Sequence, residues 1–311
     1  MEERSLEERI ALALILGLII ICGVIGNAFV IIATIKFERI RRTNSNFLLL
    51  NLAIADILSS SVIMPYHLAT VINLDIVSSN GVVCWIGGAI TYPILIASTL
   101  TVVMLAADRY IAMMDPLRYK ARITSRTIIY MICYTWLHSV FFAVLAASLV
   151  KIEFDKVSLD CGVSWDKTPL WFGVISMILN IVAPFIFMAC SSLKVLAIAR
   201  KQHKIIETEA AKRQGGRNAK VRESKATSAI LLVILLFLIA WLPYLVTRVI
   251  RVFNIILPST AYTTAIWILH VNAVVNFFIY TRRNQDYRRA FMSMIKPRNS
   301  SENSVEPYSC N

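Results

Sequence analysis

The stretch VVMLAADRYIAMMDPLRY, residues 102–119, decides the fold. Between residues 76 and 107 there is no Asp, Glu, Lys or Arg, and then Asp108 and Arg109 stand side by side. A run of about 20 apolar residues is enough to cross roughly 30 Å of hydrocarbon as a helix. An acid and a base at the end of such a run sit at the water boundary. Charge at that depth is costly, so the pair either anchors the helix at the interface or serves function.

The same pattern recurs outward from this segment. Residues 10–35, 127–150, 168–193, 226–247 and 252–281 are also uncharged, and 43–74 is broken only by Asp56. These make seven expected spans. Only helices or closed barrels satisfy their backbone groups in lipid, and a barrel would show short alternating segments, which are absent. The 311-residue chain is 57% hydrophobic and 16% charged, against about 25% charged residues in an ordinary soluble domain.

The opening MEERSLEER is acidic and mixed, unlike the positive start of a cleaved signal peptide. Residues 1–9 are therefore read as a short outer segment and 10–35 as a retained span. Of the 32 Lys and Arg residues, 7 fall on the N-terminal side of the spans and 25 on the other. Positive charge stays cytoplasmic, which puts the N-terminus outside and the C-terminus inside. The net charge of +13 is then a topology signal, and nucleic acid is not an expected partner.

Of six cysteines, Cys22, Cys133 and Cys190 lie inside spans. Cys84 and Cys161 fall on the outer, oxidising side, where disulfides persist, although spacing alone does not set pairing. Residues 200–225 read as cytoplasmic helix extensions broken at Gly215 and Gly216. In residues 283–296, Tyr287, Phe291 and Met294 recur at helical spacing among arginines, the pattern of a helix lying on the membrane surface. Residues 297–311 read as a polar, disordered cytoplasmic tail.

Taken in order, the motifs on these spans resemble those of the rhodopsin-like (class A) G-protein-coupled receptors. The first span holds GNAFV with Asn27, and the second NLAIAD with Asn51 and Asp56. The third opens at Cys84 and closes with ADRYIAMMDPLRY, the fourth carries Trp136 and the fifth Pro184. The sixth contains FLIAWLP with Phe237, Trp241 and Pro243, and the seventh NAVVNFFIY with Asn272, Asn276 and Tyr280. The resemblance runs from residue 10 to about 295. It implies an all-α membrane protein, a seven-transmembrane helix bundle (10–282) with a short amphipathic eighth helix.

The resemblance also implies roles. Cys84 and Cys161 would be bonded. Asp108, Arg109, Tyr110, Glu223, Trp241, Pro243, Asn276 and Tyr280 would serve coupling and switching. Arg109 would leave Asp108 to engage a heterotrimeric G protein when the sixth span swings out, and Glu223 would attract Arg109 while that span is closed. Trp241 would be the switch beneath the ligand and Pro243 the pivot. Asp56, Ser98, Asn272 and Asn276 would hold Na+ as an allosteric ion, since oxygen donors suit a hard cation. The alternative for Asp56 is a neutral, hydrogen-bonded acid of structural duty. Implied partners are an extracellular ligand, the G protein, arrestin and the lipid bilayer.

Three positions depart from the family pattern. Phe277 replaces the proline that usually follows Asn276, Ser192 stands where a tyrosine is usual, and Thr99 where a bulky aliphatic residue is usual. The first should straighten the seventh helix, and the second removes a partner for Tyr280. In the expected pocket, Thr91 occupies the place of the amine receptors' aspartate, and His270 that of the visual pigments' lysine. The remaining lining, Tyr92, Ser176, Asn180, Tyr244, Trp267, His67 and His270, with Arg248 and Arg251 at the rim, suits a non-amine small molecule or the end of a short peptide. Snorkelling at the boundary is the alternative for the arginines. No catalytic pair or metal cluster is legible, so an enzyme is not expected. Two other readings remain: a receptor-like scaffold or decoy with weak coupling, motivated by Phe277 and Ser192, and an ion-coupled transporter using Asp56, although no internal repeat of the transporter kind is found.

Overall fold

The computed structural model describes residues 5–155, 160–164, 167–210, 217–253 and 255–295, excepting the side chains of 74, 76, 202–210, 217–226 and 252. Seven helices are long and apolar enough to cross a membrane: Leu6–Lys36, Asn46–Ile72, Gly81–Met114, Ser125–Leu149, Leu170–Lys201, Thr227–Arg251 and Ser259–Arg283. The first starts earlier than the charge pattern indicates. Ser5 accepts from the Glu8 backbone N–H while the Glu8 carboxylate accepts from that of Ser5, a reciprocal cap that makes residues 6–9 the first turn. A short helix, Gln285–Ile295, follows the seventh span. The expected tail at 297–311 and the break at Gly215 and Gly216 lie outside the described residues.

The third span is the axis of the bundle. It packs against the second, fourth, fifth and sixth, and half of its most apolar window is buried, against 22% for the fourth. Since lipid is as apolar as leucine, burial alone does not hold such helices together. Close packing and interhelical hydrogen bonds do. Asn27 Nδ2 donates to the Ala273 carbonyl at 2.9 Å, joining the first and seventh spans. Trp136 Nε1 donates to Asn51 Oδ1 at 2.8 Å, and Asn51 Nδ2 to Thr101 Oγ1 at 2.8 Å, joining the fourth, second and third.

Two spans contain a widened π turn, Ser59–Ile63 in the second and Ile178–Val182 in the fifth. Each lies just ahead of a proline, Pro65 or Pro184. Proline lacks an N–H and its ring clashes with the carbonyl four residues back, and a widened turn relieves both. The seventh span, which has Phe277 instead of proline, is one continuous helix.

At one end of the bundle, strands Ile152–Asp155 and Asp160–Val163 pair antiparallel, with Phe154 opposite Cys161. Cys161 is bonded to Cys84 at the head of the third span. The hairpin lies close on that helix: a Cβ on Gly88 would come within 2.5 Å of the Ile152 side chain. Here glycine is needed for close approach.

Candidate functional site

Three polar clusters lie along the bundle. At the end away from the disulfide, Asp108 is fully buried and Arg109 nearly so. Arg109 Nε donates to Asp108 Oδ2 at 2.8 Å, and Nη2 also contacts that oxygen. A buried carboxylate needs more than one partner, and two further residues supply them. Ser45 Oγ donates to Asp108 Oδ1 at 2.9 Å while accepting from Arg109 Nη2 at 2.9 Å. Tyr119 OH, on the short helix Pro116–Arg122, donates to Asp108 Oδ1 at 2.8 Å. Burial first, and the Asp108 charge next, push the Tyr119 hydroxyl up to about 12, so it stays a donor at neutral pH. Lys194 Nζ lies 5.8 Å from the centre of the Tyr110 ring. Glu223 falls on the helix Arg217–Val252, but its side chain lies outside the described residues.

Mid-bundle, Asn276 Nδ2 donates to Asp56 Oδ2 at 2.8 Å. Above this pair is a cavity of about 20 Å³ lined by Asp56, Ser59, Ser98, Trp241 and Asn272 among others. A water needs about 10–15 Å³ of such space. The Oδ1 atoms of Asn272 and Asn276 are buried without hydrogen-bond partners. One carboxylate, the Ser59 and Ser98 hydroxyls and the unused Asn272 amide oxygen form a donor set that fits a small hard cation, whereas Asn276, expected in that set, does not line the cavity and instead holds Asp56. Trp241 roofs the cavity, with Phe185, Phe237 and Tyr244 ring centres 5.7–5.8 Å away. Pro243 lies inside the same helix. Ser192 Oγ and Tyr280 OH are both buried without partners, as expected where serine replaces tyrosine.

Near the disulfide, the pocket residues form separate groups. Tyr92 OH contacts Ser176 Oγ, and Asn180 Nδ2 donates to the Ser176 carbonyl at 3.0 Å. Asn180 lies in the widened turn of the fifth span, and its Oδ1 faces His138 Nε2 of the fourth at 2.9 Å. Because Oδ1 only accepts, this contact puts the proton on Nε2. Tyr244 lies beneath the Arg248 guanidinium, 4.9 Å from ring centre to Cζ. Arg251 pairs with Asp155 of the hairpin through two contacts. Thr91 Oγ1 is spent on the Gly87 carbonyl at 2.8 Å. Trp267 joins an apolar cluster with Leu16, Met64 and Val71, facing the first two spans. His67 and His270 are buried with ring centres 5.1 Å apart.

Sequence reasoning missed Ser45, Ser59, Tyr119 and His138. Tyr119 closes the stretch 102–119, ten residues after Arg109, and its aromatic hydroxyl was the available signal.

The family description "7 transmembrane receptor (rhodopsin family)" matches residues 26–280. The chain belongs to that family. Its members are receptors rather than enzymes. Among similar proteins, the trace amine-associated receptor 365 of Petromyzon marinus is 29% identical over 94% of this chain and 81% of its own length. The histamine H2 receptor of Cavia porcellus is 26% identical over 96% and 83%. The alpha-1A adrenergic receptor of Oryzias latipes is 25% identical over 94% and 68%.

Proposed function

We propose that this rhodopsin-family receptor sits in the plasma membrane with its N-terminus and disulfide-bearing end outside, and passes the binding of an extracellular ligand to heterotrimeric G proteins. The observation that carries the reading is the buried Asp108–Arg109 pair, latched by Ser45 and Tyr119 at the end where basic residues concentrate. An arginine held by three neighbours in one state and released in another gives the two-state element that signalling requires. Arrestin is a second cytoplasmic partner in this reading, and Na+ occupies the Asp56 cavity.

The ligand is a neutral or anionic small molecule, or the end of a short peptide. An ammonium ion needs a carboxylate, and Thr91 offers none. The hairpin carboxylates Glu153, Asp155 and Asp160 are engaged with Lys167, Arg251 and His67. Arg248 over Tyr244 offers cationic character instead. The relatives' names, which refer to trace amines, histamine and adrenergic ligands, favour a second reading in which Asp160 receives an amine.

The test is a panel of carboxylates, neutral molecules and primary amines against a proximity reporter of G-protein dissociation. Activation by carboxylates or neutral compounds, lost in Arg248→Gln, supports the first ligand class. Activation by amines alone, lost in Asp160→Asn, replaces it with the second. In either case Arg109→Ala should abolish most of the response while surface expression persists, and undiminished coupling in that variant defeats the G-protein reading.

A further inference from the structure

We propose that His67 and His270 form a binding site for a divalent transition-metal ion of the zinc type, at the disulfide-bearing end of the bundle. The two residues come from the second and seventh spans, and neither is used by the coupling cluster. Their ring centres are 5.1 Å apart and their planes are tilted by 48°. A zinc–nitrogen bond is about 2.0–2.1 Å, and a ring nitrogen lies about 1.1 Å from its ring centre. Two imidazoles on one tetrahedral ion therefore have centres roughly 5 Å apart. The observed spacing is that of a ligand pair, so binding asks for ring rotation rather than backbone displacement.

Two further observations point to a ligand. His270 is 3% exposed, and its Nε2 is buried with no hydrogen-bond partner. A neutral imidazole nitrogen left that way in the interior forfeits its hydrogen bond to water, which a metal bond replaces. His67 in turn has a carboxylate behind it: Asp160 Oδ1 is 3.4 Å from His67 Nδ1. Asp160 is itself fixed, because the backbone N–H of Cys161 donates to the same Oδ1 at 2.8 Å and Cys161 is bonded to Cys84. A carboxylate beside one ring nitrogen holds the proton there and leaves the other nitrogen basic, the arrangement usual behind metal-bound histidines. The disulfide-anchored hairpin thus orients one of the two ligands.

Among the described residues no group of three or more His, Cys, Asp or Glu side chains is placed to hold a metal. The ion therefore takes two protein nitrogens and completes its shell with water. Two imidazoles select zinc, copper or nickel ions over Mg2+ and Ca2+, which favour oxygen donors. His270 also lines the cavity above Asp56, whose donors are oxygens. The two cation sites are neighbours with opposite preferences. An ion held by His67 and His270 ties the second span to the seventh, and so stabilises the folded bundle.

The experiment uses the full-length receptor purified in detergent, with ZnCl2 as the probe. The unfolding temperature is followed by intrinsic fluorescence, and stoichiometry by equilibrium dialysis. Micromolar Zn2+ should raise the unfolding temperature, with one ion bound per chain, while millimolar Mg2+ or Ca2+ should not. His67→Gln or His270→Gln should weaken Zn2+ binding at least tenfold, and Asp160→Asn by a smaller factor. His138→Gln together with His203→Gln should leave binding unchanged. Should a histidine variant fail to fold, the receptor carrying His138→Gln and His203→Gln, loaded with Cu2+ in place of Zn2+, supplies the second measurement: its pulsed EPR spectrum should show two imidazole nitrogens on the ion. Zn2+ bound equally well by both histidine variants, no Zn2+ bound by the wild type, or fewer than two imidazole nitrogens on the bound Cu2+ overturns the proposal.

Discussion

At the scale of single residues, the Asp108–Arg109 pair explains its own cost. A carboxylate with no exposure at the mouth of a helix is tolerable only when its acceptor sites are filled. Arg109, Ser45 and Tyr119 fill them. Ser45 matters doubly, because one hydroxyl gives to the acid and receives from the base. Removing it in Ser45→Ala leaves a buried charged pair short by two hydrogen bonds, a loss of about 1–3 kcal/mol confined to the closed state. Basal G-protein activation per surface receptor should rise at least about fivefold, the factor that about 1 kcal/mol gives while the active state is sparsely populated. An unchanged basal level would mean that Ser45 does not restrain Arg109. Tyr119→Phe should act in the same direction with a smaller effect, since it removes one donor. The Tyr119 hydroxyl is raised above its ordinary value, so its contribution is complete below about 10 and fades only as pH climbs toward 12. The ratio of Tyr119→Phe to wild-type basal output should therefore be the same at pH 6 and pH 8.

At the scale of elements, Phe277 does more than omit a proline. Its ring lies in the space left by Gly26 of the first span, where a Cβ would come within 2.9 Å. It meets Phe29 at 5.8 Å and Phe291 of the surface helix at 5.6 Å. Tyr287 OH and Thr34 Oγ1, 2.8 Å apart, dock the same helix onto the first span. The seventh span is thus welded to the first by packing, which is the main attraction available in lipid. Gly26→Ala should lower the unfolding temperature by several degrees, because it overpacks by about 1–3 kcal/mol. In a Phe277→Gly background, which removes the Phe277 Cβ as well as the ring, the same change should cost little or nothing. Additive effects of the two substitutions would mean that the residues do not share this space. The contact also shows where sequence reading stops. The spans were legible because hydrocarbon thickness dictates the length of each uncharged run, and Asp56, Ser98 and Asn272 stood out as polar residues inside such runs, whereas Ser59, one of three consecutive serines, did not. Phe277 announces a missing proline, but not that its room lies at Gly26. Ser45 sits in a polar turn between Asn44 and Asn46, where nothing in the periodicity marks it. His138 looks like one more residue of an apolar span until the widened turn at Ile178–Val182 brings Asn180 to it.

At the scale of the whole molecule, the three polar clusters are strung along the bundle, and the middle one lies between its two ends. Asp56 lies between the Trp241 ring above and Asn276 beside it, and the cavity there has the size of a water or a small ion. A carboxylate this deep is costly when charged unless a cation sits with it. The oxygen donors suit sodium, and an ion held there would tie together the second, third and seventh spans that carry Asp56, Ser98 and Asn272. An ion that binds only the folded bundle stabilises it by RT ln(1 + [Na+]/Kd), about 1.4 kcal/mol at ten times Kd. For a chain of this size that shifts the unfolding temperature by roughly 2–4 °C. NaCl should therefore raise the unfolding temperature of purified receptor over choline chloride at equal ionic strength. Asp56→Asn should erase that increment. The same substitution should leave baseline stability in choline unchanged or higher, because an amide carries no charge to desolvate and can still meet Asn276. The two effects have opposite signs, so a merely damaged fold would not imitate them: damage lowers stability in both salts, whereas loss of an ion site lowers it only where sodium is present. Equal sodium increments in wild type and Asp56→Asn would place the ion elsewhere. No increment in the wild type would leave Asp56 as a neutral acid held by Asn276, and the cavity as a water site.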